Sequence, residues 1–128
     1  MIVAGIGFRQ SVEADEIVAL VKQALERAAL SRNDLNKLAT IEALAALPAF
    51  TEAARQLDVA AIPVAQTVLL ATAPHVRTQS ARSIAAHGVG SVAEASALAA
   101  AGPQPQLVLE RITSASATCA LARSETGS

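Results

Sequence analysis

Apolar positions along this chain follow two rhythms, one of short runs and one of helical stripes. Residues 2–6, IVAGI, form a continuous apolar run, which predicts a buried first strand. A loop, GFRQS, follows. Ile17, Leu20, Val21, Ala24, Leu25 and Ala28 then recur at three- and four-residue spacing, the stripe of an amphipathic helix. Glu13, Asp15 and Glu16 suit the positive start of that helix, and Lys22 and Arg27 its negative end. Ser11 is its predicted cap. Ser31 and Asp34 predict a capping box for one short turn.

The segment KLATIEAL, 37–44, predicts a second strand. Pro48 suits the first position of a helix, with Phe50, Ala53, Ala54 and Leu57 as its buried stripe. Ala60 to Ala65 predicts a third strand, in which Pro63 marks an edge position or a bulge. Within 66–79 the pattern weakens to one helical turn in TVLLA and a loop. Ser80 to His87 predicts a short helix stopped by Gly88. VGSVAEASALAAAG, 89–102, predicts another, capped by Ser91, with the Glu94 carboxylate reaching back to the cap and Gly102-Pro103 ending it. QLVLERI and ATCALA predict two last strands, joined closely enough through TSAS to pair as a hairpin. The expectation is one domain over residues 1–123, with 124–128 as a mobile polar tail. Alternating strands and helices predict an α/β fold: a three-layer α/β/α sandwich around a small mixed sheet of about five strands.

Composition makes this core unusual. Of 128 residues 52% are hydrophobic, yet Phe8 and Phe50 are the only aromatics. Alanine and aliphatic side chains must fill the interior, which brings helices close to the sheet. The chain has 10 basic and 11 acidic residues, net charge −1, and no basic stripe. Nucleic-acid binding requires many phosphate contacts and often stacking aromatics, so that class is excluded. MIVAGIGFRQ has no basic region ahead of an apolar run, as a signal peptide has. The longest uncharged stretch, Val59 to Val76, is interrupted by Pro63, Gln66, Pro74 and His75. No membrane partner is expected from it, and a cytoplasmic protein is. Cys119 is the only cysteine, so there is no internal disulfide and no CxxC site; a buried strand position suits it.

Candidate chemistry centres on two glycine turns. Gly5, Gly7, Phe8 and Arg9 follow the first strand. They are either a tight turn or an anion site, in which backbone N–H groups and the Arg9 fork meet a carboxylate. Gln10 stands where a dinucleotide fingerprint needs its third glycine. Gly88, Gly90 and Ser91 form the second turn, leading into the capped helix; Ser91 is either a cap or a ligand contact. Both turns are expected at one edge of the sheet, where open α/β sheets bind ligands. His75 and His87 lack a third ligand at metal spacing, so neither a metal nor another cofactor is predicted. No GxSxG elbow supports a catalytic triad. Glu42, His87 and Glu94 are the candidate acid–base groups for a catalytic role.

VAGIGFR, LATIEA, GVGSVAEASALAAAG and TCALA, in that order, resemble the CobE/CbiG C-terminal domain family of cobalamin biosynthesis. The resemblance spans about residues 2–122, as in members where this domain stands alone. It implies a place in the aerobic corrin pathway and a corrin or precorrin intermediate such as hydrogenobyrinic acid as ligand. Its carboxylate side chains would meet the two glycine turns. The accessory or carrier role has two alternatives. One is an enzyme acting on a precorrin, since CbiG opens a lactone on a cobalt-precorrin and releases a two-carbon fragment. The other is a module docking on another pathway enzyme through the apolar stretch at 66–74. Members often carry a lysine soon after the second-strand acidic position and Pro-Lys after the fourth strand. This chain reads TIEALAAL and LERIT there, with Arg111 in place of the second lysine.

Overall fold

The computed structural model describes residues 1–124. A five-stranded mixed sheet runs in the order β3-β2-β1-β5-β4, with β1 at Ile2–Phe8, β2 at Leu35–Ile41, β3 at Ala60–Val64, β4 at Pro105–Thr113 and β5 at Ala117–Ser124. β1, β2 and β3 are parallel, and β5 runs antiparallel to both β1 and β4. Helices α1 (Ala14–Arg27) and α3 (Pro48–Leu57) connect the parallel strands on one face. After β3 the chain turns back over the other face through α4 (Gln66–Ala71), α5 (Ala81–His87) and α6 (Val92–Ala100). The reversal follows from right-handed crossovers, which put outward and returning connections on opposite faces. The α/β/α sandwich and mixed sheet match the expectation from sequence.

Strand alternation divides the core. Ala4, Ile6, Cys119 and Leu121 face α1 and α3, where Phe8 stacks on Phe50 with ring centroids 6.3 Å apart. Val3, Ala39 and Ala122 face α6. Gly5 sits directly beneath that helix. A Cβ there would lie 1.9 Å from the Ala93 carbonyl oxygen, so only glycine permits this approach. Helix α6 is buried along Val92–Leu98, including Glu94 and Ser96.

Several boundaries differ from the sequence reading. β2 ends at Ile41 rather than 44, and Glu42–Ala45 forms a short helix, α2. Alanine and leucine favour helix once the strand has no further sheet neighbour to pair with. Ser11 does not cap α1. Its N-cap is Glu13, because a turn closed by Val12 N–H donating to the Arg9 carbonyl (3.0 Å) buries Val12 first. Pro63 lies on edge strand β3, where its missing N–H costs no ladder bond. β5 includes Arg123 and Ser124, and Ser124 pairs with Pro105. The rest of the expected tail, 125–128, lies outside the described residues.

Candidate functional site

The carboxyl ends of β1 and β2 and the β4–β5 hairpin meet at one edge of the sheet. Here the backbone N–H of Arg9 donates to the Ser116 carbonyl at 3.0 Å. This ties the β1 exit to the hairpin tip. Glu16, in the first turn of α1, holds the tip from below: the Ser116 N–H donates to its carboxylate at 2.6 Å, and the Ser114 hydroxyl donates to the same oxygen. The Ser114 hydroxyl, then the Ser116 N–H, hold the Glu16 pKa below its ordinary value.

On the other side, Glu94 joins three segments. Its side chain has no exposed surface. Oε1 accepts the N–H groups of Arg77 (2.7 Å) and Thr78 (2.9 Å); Oε2 accepts the Thr78 hydroxyl (2.6 Å) and the Arg111 N–H (2.9 Å). Burial by itself raises the Glu94 pKa, but these four donors outweigh it and the pKa is lowered. The Arg111 N–H is available because β4 bulges between Leu109 and Ile112, three residues facing a two-residue step in β5. Ser91 Oγ caps α6 by accepting the Glu94 N–H at 3.1 Å. The capping box is therefore half formed. The glutamate turns away from the cap because it has four donors elsewhere.

Between these anchors lies a cleft of about 500 Å³. One wall is the sheet edge, with Gly7, Phe8, Arg9 and Arg111, and the hairpin from Thr113 to Thr118. Helix α5 supplies the other with Arg82, Ser83, Ala86 and His87; Val92 and Leu44 add apolar surface. No carboxylate lines the cleft among the described residues, although the chain carries more acids than bases. The side chains of Arg9, Arg82 and Arg111 have no protein hydrogen bond or ion-pair partner among the described residues.

The first glycine turn reaches this cleft through Gly7, Phe8 and Arg9, while Gly5 lies under α6. None of the second turn's Gly88, Gly90 and Ser91 lines it, although His87 before the turn and Val92 after it do. Gly88 adopts φ +83 to stop α5, Gly90 packs against the Thr78 carbonyl, and Ser91 is buried as a cap. Glu42 is exposed at the start of α2 and does not line the cleft; Glu94 is sealed from it. His87 alone of the three acid–base candidates faces the space. Arg82, Ser83, Glu16 and the hairpin hydroxyls had no local motif to mark them. Arg111 stood out only as a replacement for lysine. Burial pushes the Cys119 thiol up to about 12, so it is inert. Among the described residues no cluster of His, Cys, Asp or Glu could hold a metal ion, and no helix is long and apolar enough to cross a membrane.

Residues 2–122 match the family model for the cobalamin synthesis G C-terminus. The chain belongs to this CbiG C-terminal family. It is a cobalamin biosynthesis protein. Protein CobE from Sinorhizobium sp. is 36% identical over 121 residues, 94% of this chain and 79% of that protein. The structure of CobE, a protein from the cobalamin (vitamin B12) biosynthetic pathway, superposes with a TM-score of 0.91 at 31% identity. That match covers 96% of this chain and 89% of the other. Cobalamin biosynthesis protein chiG from Agrobacterium tumefaciens gives 0.78 at 34% identity, with 98% and 99% covered. A cobalamin biosynthesis protein G homologue from Sulfolobus solfataricus gives 0.76 at 28% identity. Here the domain covers 97% of this chain but 37% of the longer relative. The family thus presents this domain both within longer chains and as nearly all of a chain.

Proposed function

We propose that this protein binds a corrin or precorrin intermediate in the cleft between β1, the β4–β5 hairpin and α5, and serves the pathway as an accessory or carrier. One observation carries the reading. Three arginines whose side chains have no protein partner among the described residues, and one histidine, line a cleft to which the described residues contribute no acid. Intermediates of a corrin pathway are flat, largely apolar rings bearing acetate and propionate groups. Guanidinium forks suit those carboxylates, and Phe8, Leu44, Ala86 and Val92 give the ring an apolar surface. A cytoplasmic setting goes with this reading, since a single buried thiol needs no oxidising compartment.

The carrier role is favoured over catalysis on the macrocycle because general acid–base chemistry needs groups within reach of the substrate, and of Glu42, His87 and Glu94 only His87 lines the cleft. Docking on a pathway enzyme has one observation in its favour. Val68 and Leu70 on α4 and Ile84 on α5 are exposed. Titration with hydrogenobyrinic acid, followed by its visible spectrum, tests the binding reading. Saturable spectral change and co-elution are expected. Their absence with every pathway intermediate tried would remove the carrier role.

A further inference from the structure

We infer that the cleft is a two-walled carboxylate clamp that selects ligands by free acid groups: its ligand must present at least two ionised carboxylates, one to each wall. This rests on the corrin-binding reading and specifies its ligand class. Arg9 and Arg111 belong to the sheet-edge wall, and Arg82 with His87 to the α5 wall. Each wall therefore carries cationic charge of its own, and no carboxylate among the described residues lines the space between them. An empty cleft places these like charges around one space. A ligand with a single carboxylate satisfies one wall and leaves the other unpaired.

Glu94 sets the relation between the walls. It accepts the N–H of Arg111 on the sheet side, and the N–H of Thr78 and its hydroxyl two residues before α5 is capped by Ser80. Arg111 and the root of α5 are thereby bonded to the same buried carboxylate. Glu94 is a positioning residue; it touches no ligand. Helix α5 itself buries no side chain. Hydrogen bonds from its cap and first turn tie it to the loop after it: the Ser80 N–H donates to the Gly90 carbonyl at 3.0 Å and the Ser83 hydroxyl to the Val89 carbonyl at 2.6 Å. A reaction that converts the ligand's carboxylates to neutral amides or esters discharges the clamp, so ligand would leave after such a step.

The test compares two probes of the same ring: cobyrinic acid, with its side chains as free carboxylates, and a corrin with those side chains as amides. Both are titrated against wild type, Arg82→Gln, Arg111→Gln and the double variant, with thermal unfolding confirming each fold. The acid should bind wild type at least about tenfold more tightly than the amide. Each single variant should weaken acid binding about tenfold, the double variant should lose the product of the two, and amide binding, which lacks the charge-assisted bonds, should fall less than acid binding in every variant. Acid binding should also fall as salt is raised. Equal affinity for acid and amide, or equal losses for both probes on Arg82→Gln and Arg111→Gln, overturns the clamp while leaving a corrin-binding cleft. Binding of neither probe overturns the clamp and the corrin reading together. Glu94→Gln adds a positioning readout: in variants that remain folded, the acid-over-amide preference should narrow. An unchanged preference would show that Glu94 supports the fold without setting the clamp.

Discussion

The buried carboxylate of Glu94, on α6, accepts the backbone N–H of Arg111, on β4, at 2.9 Å. This single bond crosses from the central helix to the edge strand and takes up a donor that the β4 bulge has released from the ladder. With the bonds to Arg77 and Thr78, it makes one glutamate the joint of the cleft's two sides. Glu94→Gln retains the shape but turns an amide NH2 toward at least one N–H donor. The variant should lose about 3 kcal/mol of stability, measured by urea unfolding.

The same bonds give stability an acid dependence. In the folded state the pKa values of Glu94 and Glu16 lie below the ordinary value of 4.5. Their contribution is therefore complete above that value and is lost as pH falls through the lower folded-state pKa values. Urea unfolding across the acid range should show a falling stability below about pH 4.5 in wild type and a shallower fall in Glu94→Gln.

Gly5 and Gly7 should respond differently to alanine. At Gly5 the new Cβ would meet backbone, 1.9 Å from Ala93 O and 2.5 Å from Ala97 N, whereas at Gly7 the closest atom is the Thr118 hydroxyl at 2.7 Å. Backbone cannot yield as a hydroxyl can. Gly5→Ala should cost more than about 3 kcal/mol, or prevent folding, and Gly7→Ala markedly less. Thermal unfolding of the two variants separates them.

Ser91→Ala removes the acceptor for the Glu94 N–H and nothing that lines the cleft. It should lower stability by about 1 kcal/mol and leave ligand affinity close to that of wild type. A large affinity loss in a stable variant would give Ser91 a ligand contact that its burial argues against.

Much of this fold was legible in the chain because its elements are locally determined. The stripe from Ile17 to Leu25, Pro48 ahead of Phe50 and the Gly88 stop each carry their own signal. The end of β2 was not, since EALA suits helix or strand and sheet pairing decides between them. The Glu94 carboxylate misled for a related reason. Spacing from Ser91 predicts a local partner, while its four donors come from segments 16 or 17 residues away. Arg9 was legible beside its glycine turn. Arg82 and Arg111 were not, because only the return of the chain over the second face brings α5 and β4 to the cleft.

Affinity of wild type and Arg9→Ala for hydrogenobyrinic acid tests the central claim most directly. Arg9 is exposed, lines the cleft and has no side-chain partner among the described residues, so its removal should leave thermal unfolding unchanged. Losing a charge-assisted hydrogen bond should cost about 1.5–3 kcal/mol, a drop of roughly tenfold to a hundredfold in affinity. Wild-type affinity in a normally folded Arg9→Ala protein would contradict the account and place the ligand elsewhere on the domain.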